Sequence, residues 1–205
     1  MNSKLFLQNP PGLTEKLGNQ KVGIAGCGGL GSNIAMMLVR ASVQNLVLVD
    51  FDTVEMNNLN RQFYFQKDIG KLKTDALLEN LMQINPEICI QIHNQKLEKE
   101  QIYKCFKDCH VIVEAFDTVE AKTMLIQQFQ DRQYSSKYLV AASGLAGLKS
   151  ANSIQTKRIA NNIYVCGDFF TESNASSGLL SSRVMVTAAH QANMVVRILT
   201  ENYKP

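Results

Sequence analysis

A stretch rich in acidic, amide and cationic side chains contains residue types that can bind a nucleotide. It reads DFDTVEMNNLNRQF at positions 50–63. Its candidate ligands are Asp50, Asp52, Asn58, Arg61 and Gln62. Lys73 comes twelve residues after Arg61, and Asp117 follows the apolar run VIVEAF. A ribose acceptor, two cations and a carboxylate suit ATP with Mg²⁺, because magnesium prefers one or two carboxylates together with substrate phosphates.

A glycine-rich loop precedes this stretch, in the sequence GIAGCGGLGSN at 23–33. Its candidate phosphate-binding residues are Gly26, Gly28, Gly29 and Gly31. Glycine lets a backbone turn tightly and approach a phosphate, and the helix expected after the loop adds free N–H groups. Asp50 lies 24 positions after Gly26, where an acidic residue can accept hydrogen bonds from a ribose. The loop alone fits a nicotinamide dinucleotide as well as ATP.

Short apolar runs alternate with helix-like segments around these residues. Strands are predicted over 21–26, 45–50, 88–94, 110–116 and 138–144, and helices over 32–42, 74–85, 98–106 and 118–130, with Thr74 as the cap of the second helix. This alternation favours a doubly wound, Rossmann-like α/β fold with a mostly parallel sheet. The glycine loop, Asp50 and Asp117 then all follow the carboxyl ends of strands, where open sheets bind ligands.

The pattern changes after Gly144. Two strands, 151–156 and 162–169, are predicted to form an antiparallel extension of the sheet. The Ser- and Gly-rich segment 171–182 is predicted to be a loop, and 182–202 a helix. We interpret 1–205 as a single domain with a core at about 15–145 and an extension with a C-terminal helix at about 146–205.

The composition argues against several classes of partner. The net charge is +3, too small to favour nucleic acid. No apolar run approaches the ~18–20 residues that cross a bilayer, so no membrane segment is expected. The five cysteines are scattered, without a C-x-x-C pair, which favours a reducing cytoplasm over a disulfide framework.

Together these motifs resemble a known family. GxGGxGS, DFDxVExxNLNRQF, GKLK at 70–73 and an Asp that closes the fourth strand are similar to the adenylation domain of ubiquitin-activating-type enzymes. Relatives in that family include the bacterial activators of the sulfur carriers ThiS and MoaD. The resemblance covers about 15–145, and the short chain looks most like a compact ThiF-type adenylyltransferase of ThiS.

The resemblance implies a role for each matching residue. Gly28 and Gly29 would approach the phosphates, and Asp50 would hold the ribose. Asn58, Arg61 and Lys73 would contact the triphosphate, and Asp117 would bind Mg²⁺. Asp52 would support the magnesium side, with Gln62 nearby. The implied reaction joins the C-terminal carboxylate of a small ubiquitin-like carrier with a Gly-Gly tail to AMP, in thiamine thiazole biosynthesis. Arg61, Lys73 and Asp117 would be the catalytic residues.

Other residues bear on how far the resemblance extends. Relatives often have paired C-x-x-C motifs for zinc, which this chain lacks, so no zinc is expected. Cys166 is a candidate nucleophile, but its apolar setting favours a core role, with sulfur supplied by a separate protein. His93, His110 and His190 form no triad or metal spacing. Relatives also suggest a homodimer, and the loop 171–182 is a candidate groove for the carrier tail.

Three alternatives stay open. An NAD-dependent oxidoreductase would use the glycine loop and Asp50, but it has no use for Arg61, Lys73 and Asp117 together. The chain could instead be a non-catalytic module that binds a carrier protein and has kept the fold but lost the enzymatic activity. The same chemistry could serve a MoaD-like carrier, a peptide tail or a tRNA base, the last disfavoured by the modest charge.

Overall fold

One seven-stranded sheet organises the part of the chain that the structure describes. The structure is a computed structural model that describes residues 4–172 and 177–205. The strands are β1 (Lys21–Ala25), β2 (Asn45–Asp50), β3 (Cys89–Asn94), β4 (Val111–Glu114), β5 (Tyr138–Ala142), β6 (Gln155–Ala160) and β7 (Ile163–Gly167). The helices are α1 (Leu13–Gly18), α2 (Gly31–Arg40), α3 (Lys73–Met82), α4 (Lys99–Phe106), α5 (Val119–Gln128) and α6 (Ser181–Leu199).

The strand order is β3-β2-β1-β4-β5-β7-β6, and neighbouring strands are parallel except for the antiparallel pair β6–β7. The prediction of a mostly parallel Rossmann-like sheet with an antiparallel C-terminal pair is confirmed. The chain runs outward from β1 to β3 and then returns to β4 on the other side of β1. This reversal places a crevice at the carboxyl ends of β1 and β4, where such sheets bind ligands.

Alternating side chains of the strands build a core on each face of the sheet. In β2, Leu46 and Leu48 face a core that also contains apolar residues of α2, α3 and α6. Val47 and Val49 face the other core, with residues of α4 and α5. Because successive strand residues point to opposite faces, a run of apolar residues is buried on both sides.

A buried ion pair joins α6 to the end of β7. Arg183 donates to Asp168 at 2.7 Å, and both side chains are almost fully buried. Burial alone would raise the pKa of Asp168, but hydrogen bonds from Phe170 and Thr171 and the charge of Arg183 outweigh it and lower the pKa below its usual value. The pair therefore fixes the segment after β7 against the start of α6.

The same arginine explains one wrong prediction. The strand expected over 151–156 begins only at Gln155, and Ala151–Ser153 forms a 3-10 turn. Arg183 donates to the carbonyl oxygens of Lys149 at 2.6 Å and Ser150 at 2.8 Å. These contacts hold the backbone before β6 against α6, and the strand starts only after this segment, at Gln155.

The start of α3 also differs from the prediction. The helix begins at Lys73, and the Thr74 hydroxyl contacts Asn94 instead of capping the helix. The N–H of Lys73 donates to Asp52 O at 2.9 Å, beside a two-residue bridge between Thr53 and Leu72. This tertiary contact supplies the partner that a helix cap would otherwise provide.

The structure describes only part of the segment 171–182. Its residues 173–176 lie outside the described part of the chain, so the predicted carrier groove there stays a prediction. Residues 177–180 form neither helix nor strand, and α6 follows at Ser181. In the described ranges, none of the helices combines the length and apolar character needed to span a bilayer.

Candidate active site

A cleft of about 240 Å³ contains most of the residues that the sequence singles out. Its lining consists of Asp52, Thr53, Glu55, Asn58, Arg61, Gln62, Lys73 and Asp117. Thr53 and Glu55 were not predicted, although both lie inside the motif that carries the others. Side chains up to 65 positions apart in sequence thus share one space beside the ends of β2 and β4.

Lys73 is the buried cation of the cleft. Its side chain is 9% exposed, and its ammonium lies 2.6 Å from a carboxylate oxygen of Asp52, which is 43% exposed. The backbone contact between the same two residues fixes the lysine where α3 begins. An ammonium has three donors, so Lys73 can bind a further anion without leaving Asp52.

Arg61 is the second cation of the cleft. Its guanidinium donates to Asn57 O at 3.1 Å and to the Asn60 side chain at 2.7 Å. Within residues 4–172 and 177–205 it has no carboxylate partner. A guanidinium has five donors, so most remain for a ligand with several oxygens.

Asp117 lies in the turn between β4 and α5, and its side chain is exposed. The helix cap is the next residue, Thr118, whose hydroxyl accepts from Ala121 N at 3.3 Å. Asp117 is therefore not needed as a cap, and in the described ranges its carboxylate has no hydrogen-bond or ion-pair partner. Together with Asp52 it supplies the one or two carboxylates that Mg²⁺ uses beside phosphates, so the donor set fits that ion.

The four loop glycines divide into two kinds. A Cβ on Gly26, which has φ 97°, would lie 2.7 Å from Ala115 O, and one on Gly31 would lie 1.8 Å from Gly26 O. These two glycines are required by packing. A Cβ on Gly28 would meet only Gln62, at 3.9 Å, and Gly29 lies beside the Arg61 side chain. Gly28 therefore leaves open space next to a residue of the cleft, whereas a Cβ on Gly29 would lie only 3.2 Å from the Val184 side chain.

Asp50 connects β2 to this loop. One carboxylate oxygen accepts from Cys27 N at 2.6 Å, and the other accepts from Asp52 N at 2.9 Å. Burial raises the pKa of Asp50, although the two N–H donors oppose the shift. Each oxygen keeps a second lone pair, so the carboxylate can still accept from a ribose hydroxyl.

Two amide side chains complete the cleft wall. Asn58 is buried, and its Oδ1 accepts from Glu55 N at 3.0 Å, which fixes the turn before Arg61. Gln62 is 8% exposed, and its Oε1 has no partner in the described residues. Leaving this buried acceptor without a donor costs stability.

Two residues that join the glycine loop to the segments around Arg61 and Lys73 were not predicted from the sequence. Asn33 Nδ2 donates to Gly29 O at 2.7 Å and to Arg61 O at 2.8 Å. The buried Tyr64 hydroxyl lies 2.7 Å from Cys27 O and 3.1 Å from Lys73 O. The available signal was Asn33, which follows Ser32 and gives a mostly apolar helix two consecutive polar residues at its start.

Neither Cys166 nor any of the three histidines lines the cleft. Cys166 is fully buried, which raises its pKa to about 12 against an opposing hydrogen bond from Thr156. This agrees with the predicted core role. His190 contacts the same threonine at 3.0 Å, His93 contacts Gln91, and no histidine lines the cleft.

The profile of the ThiF family matches residues 4–205, nearly the whole chain. Ubiquitin-like modifier-activating enzyme 5 of Dictyostelium discoideum is 41% identical over 93 residues, which cover 45% of this chain and 24% of that protein. Molybdopterin-synthase adenylyltransferase of Haemophilus influenzae is 35% identical over 133 residues, covering 64% and 53%. The matches thus span only a quarter to a half of these relatives.

A solved structure shares the fold. The E. coli tRNA N6-threonylcarbamoyladenosine dehydratase TcdA, in complex with ATP, superposes with a TM-score of 0.84 at 17% identity, over 97% of this chain and 92% of that one. E. coli MccB superposes with a TM-score of 0.74 at 21% identity, over 94% and 60%. At such identities the likeness concerns the fold alone.

Proposed function

The chain belongs to the ThiF family, and on that premise we propose that it adenylates the C-terminal carboxylate of a small ubiquitin-like carrier protein with ATP. The observation that carries the proposal is the convergence of Arg61, Lys73 and Asp117 on one cleft beside Gly28 and Gly29. A nicotinamide-dependent oxidoreductase would not need these cations and this carboxylate together.

The cleft suits the triphosphate better than the whole nucleotide. Its volume of about 240 Å³ is below the roughly 300–1,000 Å³ of a drug-sized ligand site. We place the phosphates between Arg61 and Lys73, and the ribose toward Asp50. Mg²⁺, when bound by Asp117 with Asp52 in support, would neutralise phosphate charge.

The chemistry needs positioning more than proton transfer. A carrier carboxylate is already ionised near neutral pH, so it can attack the α-phosphorus of ATP without a base. The new bond joins the carboxylate oxygen to phosphorus, and the bond to the bridging oxygen of pyrophosphate breaks. Arg61 and Lys73 would stabilise the charge that develops on the departing pyrophosphate.

The finer assignments are also proposals. We propose a ThiS-like carrier with a Gly-Gly tail in thiamine thiazole biosynthesis, a homodimer, a cytoplasmic location and a separate sulfur donor. The buried Cys166 supports the last point, because a protonated and inaccessible thiol is a poor nucleophile. A MoaD-like carrier or a peptide tail is the alternative substrate, in keeping with the adenylyltransferase relative.

Carrier-dependent exchange of labelled pyrophosphate into ATP tests the proposal. Purified ThiS-like and MoaD-like carriers ending in Gly-Gly are compared, with truncated tails as controls. We expect exchange with one of them, and a loss of at least about a hundredfold in Arg61→Ala and in Asp117→Ala with the fold retained. Absence of exchange with every carrier, or near-normal exchange in both variants, would contradict the proposal.

A further inference from the structure

The turn that presents Asp117 is short and is held by buried groups on both sides. It begins where β4 ends at Glu114 and continues to Thr118, the cap of α5. Inside it, Ala115 N donates to Ala25 O at 2.9 Å, which extends the pairing with β1. The position of Asp117 therefore depends on how residue 114 is fixed.

The side chain of Glu114 closes this turn. It is completely buried, and one carboxylate oxygen accepts from Phe116 N at 2.7 Å. Lys122, from the first turns of α5, reaches both carboxylate oxygens at 2.9 and 3.0 Å. A second strand is also involved, because Ala142 N lies 3.4 Å from the carboxylate. One buried carboxylate thus joins the strand end, the turn and the following helix.

The main chain of Glu114 is fixed from the opposite face of the sheet. Pairing between β4 and β5 ends at Val113 and Val140, where the two strands separate. There the fully buried Gln191 of α6 donates to Glu114 O at 3.0 Å and to Val140 O at 3.1 Å. The amide of α6 thus contacts one carbonyl of each strand at the point where their register ends.

We propose that Glu114, with Lys122, is a positioning residue that sets Asp117 for the metal–nucleotide complex. The inference rests on the proposed function, in which Asp117 binds Mg²⁺. Asp117 has no partner of its own in the described ranges, so no side-chain contact fixes its carboxylate, and the backbone of the turn sets the region that the carboxylate can reach. Loosening the turn would displace that carboxylate while leaving Arg61 and Lys73, which lie on another segment, in place.

The test measures metal binding instead of turnover. Mn²⁺ replaces Mg²⁺, and its affinity for the complex with α,β-methylene ATP is followed by electron paramagnetic resonance. The variants are Glu114→Gln, Lys122→Met, Lys122→Arg and the double variant Glu114→Gln/Lys122→Met. The double variant removes both charges, so no uncompensated buried charge threatens the fold. Asp117→Asn is the positive control, and Glu120→Gln, an exposed carboxylate on α5, is the matched negative control.

We expect the Mn²⁺ dissociation constant to rise roughly tenfold or more in Glu114→Gln, Lys122→Met and the double variant, as for other groups that orient a metal ligand. Lys122→Arg should keep most of the wild-type Mn²⁺ affinity, because arginine retains the positive charge beside Glu114. In all of these variants, binding of the ATP analogue in EDTA should change less than about twofold, because Arg61 and Lys73 are untouched. A purely stabilising role would lower the unfolding temperature without moving the Mn²⁺ constant. That result, with a working Asp117→Asn control, would overturn the inference alone. A wild-type protein without nucleotide-dependent Mn²⁺ binding would overturn the inference together with the proposed function.

Discussion

Replacing Lys73 by methionine separates a ligand-binding role from a stabilising one. The change removes the ammonium but keeps an unbranched side chain that fills the buried space beside α3. It also leaves Asp52 without its partner. Since the Asp52 side chain is 43% exposed, water can solvate the remaining carboxylate.

The two effects differ in their expected magnitude. A partly exposed ion pair contributes at most about 1 kcal/mol to stability, or about 2–4 °C in unfolding temperature for a chain of this size. A hydrogen bond from a cation to a bound phosphate is worth about 1.5–3 kcal/mol. We therefore expect kcat/KM for pyrophosphate exchange to fall roughly 10- to 150-fold, with little loss of stability.

Lys71 provides the matched control. It lies two residues away and pairs with Glu79 at 2.5 Å, with 38% and 52% of the side chains exposed, but it does not line the cleft. Lys71→Met should leave exchange within about twofold of wild type. Equal losses in the two variants, or a Lys73→Met enzyme within about threefold of wild type, would refute a phosphate-binding role for Lys73.

Three further predictions concern the loop, the thiol and the buried ion pair. Gly31→Ala places a Cβ 1.8 Å from a loop carbonyl and should lower the unfolding temperature, whereas Gly28→Ala should keep the fold and weaken ATP-analogue binding in calorimetry; equal melting temperatures would contradict this. Since burial raises the pKa of Cys166 to about 12, iodoacetamide at about pH 8 should label the exposed Cys89 first, as read by mass spectrometry; rapid native labelling of Cys166 would count against it. Asp168→Asn should cost about 3–5 kcal/mol near neutral pH by leaving a buried guanidinium unpaired. Because the folded pKa of Asp168 is depressed from 3.8, this difference in urea unfolding should persist above that value and shrink as pH falls through the folded pKa; a pH-independent difference would argue otherwise.

The sequence predicts the sheet and the grouping of the site for the same reason. Buried strands are short apolar runs, and the polar residues that follow them must lie at one edge of a parallel sheet. This logic predicts that the glycine loop, Asp50 and Asp117 lie at one edge, with Arg61 and Lys73 on the connection after β2. The cleft is lined by Asp52, Arg61, Lys73 and Asp117, whereas Asp50 and the glycines are not among its lining residues. Their individual binding roles, like the single-domain division at about 145, stay predictions.

The groups that fix the site were harder to predict because their partners have no periodic spacing. Glu114 meets Lys122 across a turn, and Gln191 reaches Glu114 from 77 positions away. Asn33 looked like an ordinary residue of α2, yet it joins the glycine loop to Arg61. Such contacts depend on how helices pack on the sheet, which a single sequence does not encode locally.

The most direct test of the account is a crystal structure of the protein with α,β-methylene ATP and Mg²⁺. We predict that the triphosphate lies in the cleft, with Arg61 and Lys73 within hydrogen-bond distance of its oxygens and Asp117 at the metal. The ribose should lie toward Asp50. A nucleotide bound elsewhere, or a triphosphate that contacts neither cation, would contradict the central claim.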